Sequence, residues 1–181
     1  KLKAGTSVYG IFWNPRKNNG LGDIEIKQID ILNLFWEPGI KDIQKSKNIF
    51  HVELMDNDTL ISLYPQLSGK LGNGGMEISK YVYDDTVDTS EKSAVVDRYY
   101  KITRNGVETV HYCKFCNGEL LYASENDPYY KESGFYDHGK YPFVFDTLFV
   151  EEGTPCGFGY IDIMKDAQKQ IDMLSNSLVK N

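Results

Sequence analysis

The sequence predicts an α+β fold: an antiparallel β meander and hairpins, a short helix, and a long C-terminal helix. Three observations predict it. Two Asn-Gly pairs, Asn105-Gly106 and Asn117-Gly118, lie between β-rich runs within residues 94–124, and Asn-Gly between such runs is the strongest short-range hairpin signal. The aromatic share is 13%, with thirteen Tyr, which favours strands over helices. Residues 160–180 carry Tyr160, Met164, Ala167, Ile171, Leu174 and Leu178 at spacings of 4, 3, 4, 3 and 4, the seam of an amphipathic helix.

Each element follows from local chemistry. Residues 6–13 (TSVYGIFW) read as a strand that stops at Asn14-Pro15, and the turn-rich NPRKNNGLG follows. Residues 23–35 alternate, but the apolar parity switches between Ile24/Ile26 and Ile29/Ile31, which predicts a bulge or bend near Gln28. Residues 36–39 (WEPG) form a turn. Residues 48–55 (NIFHVELM) form a strand, and Asp56 or Asp58 caps a short helix over 59–67 that Pro65 shortens. Four Gly within 68–75 make a loop; 76–83 read as a strand and 84–93 as an acidic connection.

In the meander, two-residue turns fix the register. Thr103 is expected opposite Glu108, Lys101 opposite Val110, Tyr99 opposite Tyr112, Phe115 opposite Leu120 and Cys113 opposite Tyr122. One face then carries Val96, Tyr100, Ile102, Cys113, Phe115, Leu120 and Tyr122 and is expected to be buried. The other carries Asp97, Lys101, Glu108, Lys114 and Glu119 and is expected to be wet. Residues 125–142 are a loop with a helical turn near 129–132, 143–150 a last strand, and 153–159 a Gly- and Pro-containing break before the helix. The domain boundaries drawn from this pattern are 1–159 for the α+β body and 160–181 for the C-terminal helix.

Composition narrows the function classes. Twenty Lys and Arg face twenty-six Asp and Glu in 181 residues, a net charge of −6. Wrapping nucleic acid needs clustered cations, which this chain lacks. No apolar run reaches the roughly 18 residues of a membrane helix, and no polybasic segment marks a membrane surface. Three cysteines with no secretory pattern predict free thiols in a reducing compartment. The opening at Lys1 and the close at Asn181 inside a helical pattern are read as an excised segment of a longer protein.

The candidate chemistry is thin. Cys113-Lys114-Phe115-Cys116, with His111 beside it and Cys156 in reserve, has zinc-ligand spacing. On a strand, however, positions i and i+3 point to opposite faces, so the pair reads as small buried hydrophobes, neither bridged nor metal-bound. It ends a strand, where no helix N-terminus lowers a thiol pKa. The acidic run Asp84, Asp85, Asp88, Glu91 lacks the spacing and glycine of a calcium loop. Gly157-Phe158-Gly159 precedes a helix, but Asp162 replaces the third glycine of a dinucleotide fingerprint and would repel phosphate. His51, His111 and His138 fall in separate segments, and no nucleophile elbow is present. No catalytic, cofactor-binding or metal residue is therefore assigned, and no cofactor or enzymatic activity is expected.

Several segments in order carry a resemblance. WEPGIKDIQKSKNIFHVELM (36–55) resembles the part of tailed-phage portal proteins where an aromatic-x-Pro turn precedes an acidic DIQ and then a strand. YVYDDTVDTSEKS and the meander after it, YDHGKYPFVFDTLFV (136–150) with its His-Gly-x-x-Pro pattern, and the closing GFGYIDIMKDAQKQIDMLSNSLVKN are similar to further portal segments of phages and prophages of Gram-positive bacteria. The resemblance covers most of residues 30–181. It implies the wing region of a portal and the start of the helix leading to a stem. It further implies a homo-oligomeric ring at one capsid vertex of the virion, made in the bacterial cytoplasm and possibly prophage-encoded. Such a ring is the conduit for DNA packaging and ejection, passes DNA without specific binding, and docks the terminase and then tail-connector proteins. The acidic balance fits a pore that must let phosphates slide. The alternative is a stand-alone module that grips a sugar or peptide with exposed aromatics such as Trp36, Tyr129 and Tyr130.

Overall fold

A computed structural model describes residues 1–71, 91–104 and 106–180. The fold is α+β, with antiparallel sheets and, among the described residues, one short helix and one long one. The chain divides into two compact units, 1–29 with 39–43 and 142–181, and 30–38 with 44–141.

The first unit is built on a three-stranded antiparallel sheet in the order β2-β1-β8, with β1 at Thr6–Asn14, β2 at Asp23–Ile29 and β8 at Phe143–Thr147. Strand parity assigns its two faces. Val8, Ile29 and Phe143 are buried on one face, where Phe12 meets Phe143 edge-on at 6.2 Å. A two-stranded ribbon, β9 (Phe149–Val150) with β10 (Gly157–Phe158), leads into α2 (Tyr160–Lys180). At the helix start the Asp162 carboxylate accepts from the Gly159 amide at 2.9 Å, a side-chain closure of the first turn. The carboxylate that argued against phosphate thus already occupies the place of an anion.

The second unit is a five-stranded antiparallel sheet in the order β3-β4-β5-β6-β7. Its strands are β3 (Leu34–Trp36), β4 (Asn48–Asp56), β5 (Lys92–Arg104), β6 (Val107–Cys116) and β7 (Glu119–Ala123). The parity switch near Gln28 is a change of sheet. β2 ends at Ile29, a single 3-10 turn follows at Ile31–Asn33, and β3 starts in the second sheet. Asp30 makes that corner by accepting from the Leu32 amide at 3.0 Å. Helix α1 (Asn57–Leu63) ends before Pro65, which opens a separate 3-10 turn through Leu67; the helix is shorter than the expected 59–67 at its far end, for the reason that proline gives. The Asp56 side chain makes no capping bond.

The meander has the expected first register, with Thr103 opposite Glu108, Lys101 opposite Val110 and Tyr99 opposite Tyr112. The expected turn at Asn105-Gly106 falls on Asn105, which lies outside the described residues; Arg104 pairs with Val107. Asn117 and Gly118 have φ of 50° and 82°, the double positive φ that matches strand twist. The second register differs. Phe115 faces Leu120 as expected, but Lys114 faces Tyr122 and Cys113 faces Ala123, so β7 holds one extra residue, Leu121. This bulge moves Tyr122 to the opposite face. The expected strand over 76–83, most of the acidic connection, and the glycines of 72–75 lie outside the described residues.

The faces of the meander also differ from expectation. Asp97 is buried and Lys101 and Lys114 are half-buried, whereas Leu120 is exposed and Phe115 only half-buried. The face read as wet is covered over most of its length, while Thr103 and Glu108 at its far end are exposed, Glu108 as expected. At one end Val95 and Cys116 pack with Leu60 and Leu67 in a fully buried cluster, with Leu121 against it. Further along, Tyr99, Tyr112 and Tyr122 stack with Phe135 and Tyr136 from the long loop, at centroid distances of 5.0–6.4 Å. Its charges tolerate cover because they are paired, which an alternation rule does not register.

Candidate functional site

Between the apolar cluster and the aromatic stack sits a polar group built from three strands. The register sets His51 opposite Asp97 and Asp97 opposite Lys114. Lys114 Nζ lies 2.8 Å from Asp97 Oδ1, the Tyr112 hydroxyl donates to the same oxygen at 2.6 Å, and His51 Nδ1 is 3.9 Å from Oδ2. Burial alone would raise the Asp97 pKa. The His51 imidazole beside it, the charge and hydrogen bond of Lys114, and the Tyr112 hydroxyl outweigh it and hold the carboxyl below its ordinary range. Burial, then the Asp97 charge, push the Tyr112 phenol far up. The group therefore holds a fixed carboxylate and a neutral phenol donor. This is the electrostatics of a structural clamp, not of a base poised near neutrality.

His111 lies on the opposite face, fully buried. Its Nδ1 is 3.0 Å from Ser124 Oγ, which also accepts the Tyr112 amide at 3.0 Å. Among the described residues Nε2 has no hydrogen-bond partner. Tyr100 stacks on the ring and donates to Glu125. The sequence reading set His111 beside Cys113 and Cys116 and missed Ser124, which reaches it only through the β6–β7 turn. This Ser–His pair lacks nucleophile geometry: Ser124 is fully buried and its oxygen is engaged by a backbone amide.

Cys113, Cys116 and Cys156 are free thiols. Cys113 and Cys116 project from opposite faces of β6, as strand spacing requires. Burial pushes all three thiols above their ordinary pKa, the wrong direction for a nucleophile. Among the described residues no group of three His, Cys, Asp or Glu is arranged to hold a metal. Asp56, Asn57, Asp58, Thr59 and Glu91 line an acidic depression at the start of α1; Asp84, Asp85 and Asp88 lie outside the described residues. Of the aromatics considered for a ligand groove, Tyr129 and Tyr130 are exposed and Trp36 is half-buried.

What the first unit leaves uncovered is apolar. The seam of α2 is exposed along its whole length. So is one face of the three-stranded sheet, where β1 presents Tyr9, Ile11 and Trp13, β2 presents Ile24 and Ile26, and β8 presents Val144. The sequence reading missed this second surface. Its signal was present in the alternation of β1 and β2, but alternation marks an apolar face without saying whether the chain covers it.

Among the described residues no helix is long and apolar enough to cross a membrane. No protein-family model matches the chain, and comparison with curated proteins finds no match.

Proposed function

We propose that this chain is part of a portal subunit, a structural component of the ring through which a tailed phage packages and ejects its DNA. The reading rests on the ordered resemblance of segments along residues 30–181. The observation that carries it in the fold is the uncovered seam of α2. Beyond the edge contact of Tyr160 with Phe149, its seam is exposed among the described residues, and an exposed amphipathic seam is built to be covered by other protein. The buried Asp97–Lys114–Tyr112 group supports a structural role: it ties neighbouring strands together, and its carboxyl is held below and its phenol above their ordinary ranges. The net charge of −6 suits a surface along which DNA moves without being held.

The test is the assembly state of the longer portal-like chain that would carry this segment. Electron microscopy should show closed rings, and light scattering a mass far above one subunit. A longer chain that stays monomeric at high concentration, or a segment that captures a defined glycan or peptide through Tyr129 and Tyr130, would replace this reading with that of a ligand-binding module.

A further inference from the structure

The first unit exposes two apolar surfaces of complementary kind. On the sheet, Tyr9 pairs with Val144, Ile11 with Ile26 and Trp13 with Ile24. These six side chains therefore stand side by side on one face, each between 37% and 66% exposed. Trp13 is a pre-set anchor: its ring lies on Gly22, where a Cβ would sit 2.1 Å from it. The six are all uncharged, and Asp146, next to Val144 at the edge of this face, is paired with Lys1 at 2.5 Å. Patches of roughly 300–600 Å² are already the largest that ordinary monomers show, and this face is of that order.

On α2, Tyr160, Ile163, Met164, Ile171, Leu174 and Leu178 are between 49% and 79% exposed. At 100° per residue they and Ala167 fall within about one third of the helix circumference. The stripe is bordered by Gln168, Gln170, Ser175 and Ser177, while Asp162, Lys165, Asp166, Lys169 and Asp172 lie on the far side. Its border is thus polar but uncharged, as in the core of a protein interface.

A helix stripe on a sheet face is one of the few stable ways to close a two-layer core. Three pairings between copies are conceivable. Helix on helix leaves the sheet bare, and sheet on sheet leaves the helix bare. Helix on sheet alone covers both. Its two surfaces together supply the apolar centre of an interface of about 800 Å² per partner. We infer that the occupant of the β2-β1-β8 face is a second copy of this chain, docking its α2 seam across Tyr9, Ile11, Trp13, Ile24 and Ile26. Used reciprocally the contact makes a two-fold pair; used once per neighbour it is heterologous and makes a ring or an open filament. The inference deepens the ring reading above by naming the surfaces through which neighbours meet.

The experiment uses the 181-residue chain with Cys156→Ser, since Cys113 and Cys116 are buried. One preparation carries Ile26→Cys and a second Ile171→Cys, both at exposed positions. They are treated with a short bis-maleimide, alone and mixed. The expected result is a shift to doubled mass in the mixture, with only background in either alone. Doubled mass from Ile26→Cys alone would mean stacked sheets, and from Ile171→Cys alone paired helices; either overturns the inference. So does a compact single-chain product from the doubly substituted protein, which would mean that α2 folds onto its own sheet. Absence of any cross-linked product overturns it as well. Ile26→Asp, with its fold checked by circular dichroism, should shift the mass seen by light scattering towards the monomer. If the longer chain carrying Ile26→Asp still forms rings, this contact is wrong and the ring reading stands. If the unaltered longer chain forms none, the ring reading fails whatever the cross-links show.

Discussion

A carboxylate taken out of water must keep its counter-charge, and Asp97 keeps Lys114 on the neighbouring strand at 2.8 Å. Removing one partner of a buried pair leaves the other uncompensated, at a cost of about 3–5 kcal/mol. Lys114→Met should therefore destabilise the protein by about 3 kcal/mol or more in urea denaturation, and Asp97→Asn combined with Lys114→Met by less than Lys114→Met alone. A double variant whose loss equals the sum of the two single losses would show that the pair is not coupled. Acid should act in two separate windows. Burial lowers the His111 pKa below its ordinary 6.5, with Arg104 adding to the effect and Glu125 opposing it. The unfolded chain then takes up a proton near 6.5 that the folded chain resists, so stability falls as pH drops below that value. Asp97 has the opposite charge type and its pKa is also lowered, from 3.8. Its stabilisation is present above 3.8 and is lost only as pH falls through the lower folded value. Urea midpoints measured from neutral to acid pH should show both declines, and His111→Phe should remove the first while leaving the second. A first decline that survives His111→Phe would assign it to another group.

At the scale of elements, α1 is held to the meander by a small shared core. Leu60 and Leu67 are fully buried against Val95 and Cys116, and the extra residue of β7, Leu121, packs there too. Leu60→Ala should cost about 2–5 kcal/mol by loss of transfer energy and by the cavity left behind. Leu63→Ala, on the exposed side of the same helix, should change stability by less than about 0.5 kcal/mol. Equal losses from the two would mean that α1 is not anchored through Leu60. The meander was legible because Asn-Gly turns fix register locally, and Thr103, Lys101 and Tyr99 meet the partners that the turn dictates. The bulge at Leu121 was not, since what stabilises it is the distant Leu60 cluster, and one inserted residue reverses every later side chain. The buried charges were misassigned for a related reason. Alternation treats Asp97 and Lys114 as two polar residues, whereas across the strands they form one nearly neutral unit. The change of sheet at Asp30 registered as a parity switch, because a bulge and a corner leave the same trace in a one-dimensional pattern.

At the scale of the whole molecule, the two apolar surfaces and the net charge of −6 act in opposite directions. Copies carrying like charge repel, and the repulsion weakens as the Debye length contracts from about 10 Å at 0.1 M salt to about 3 Å at 1 M. The apolar contact has no charge at its centre to be screened, and sulfate strengthens apolar burial by its exclusion from protein surface. Association of this chain should therefore tighten with added salt, most of all with ammonium sulfate. An association built from ion pairs between copies would loosen. Light scattering across a salt series at fixed protein concentration distinguishes the two. The expected mean mass rises with salt for the unaltered chain and stays near the monomer for Ile26→Asp and for Leu174→Asp, each of which places a charge in one of the two surfaces. DNA gives the complementary reading, because binding to phosphate weakens steeply with salt. On the portal reading proposed above, the chain should leave a duplex unshifted in a gel even at low salt, where electrostatic attraction is greatest. A mass that falls with salt, or a duplex retained at low salt, would mean that charge governs the surface of this protein, and the apolar account of its assembly would have to be abandoned.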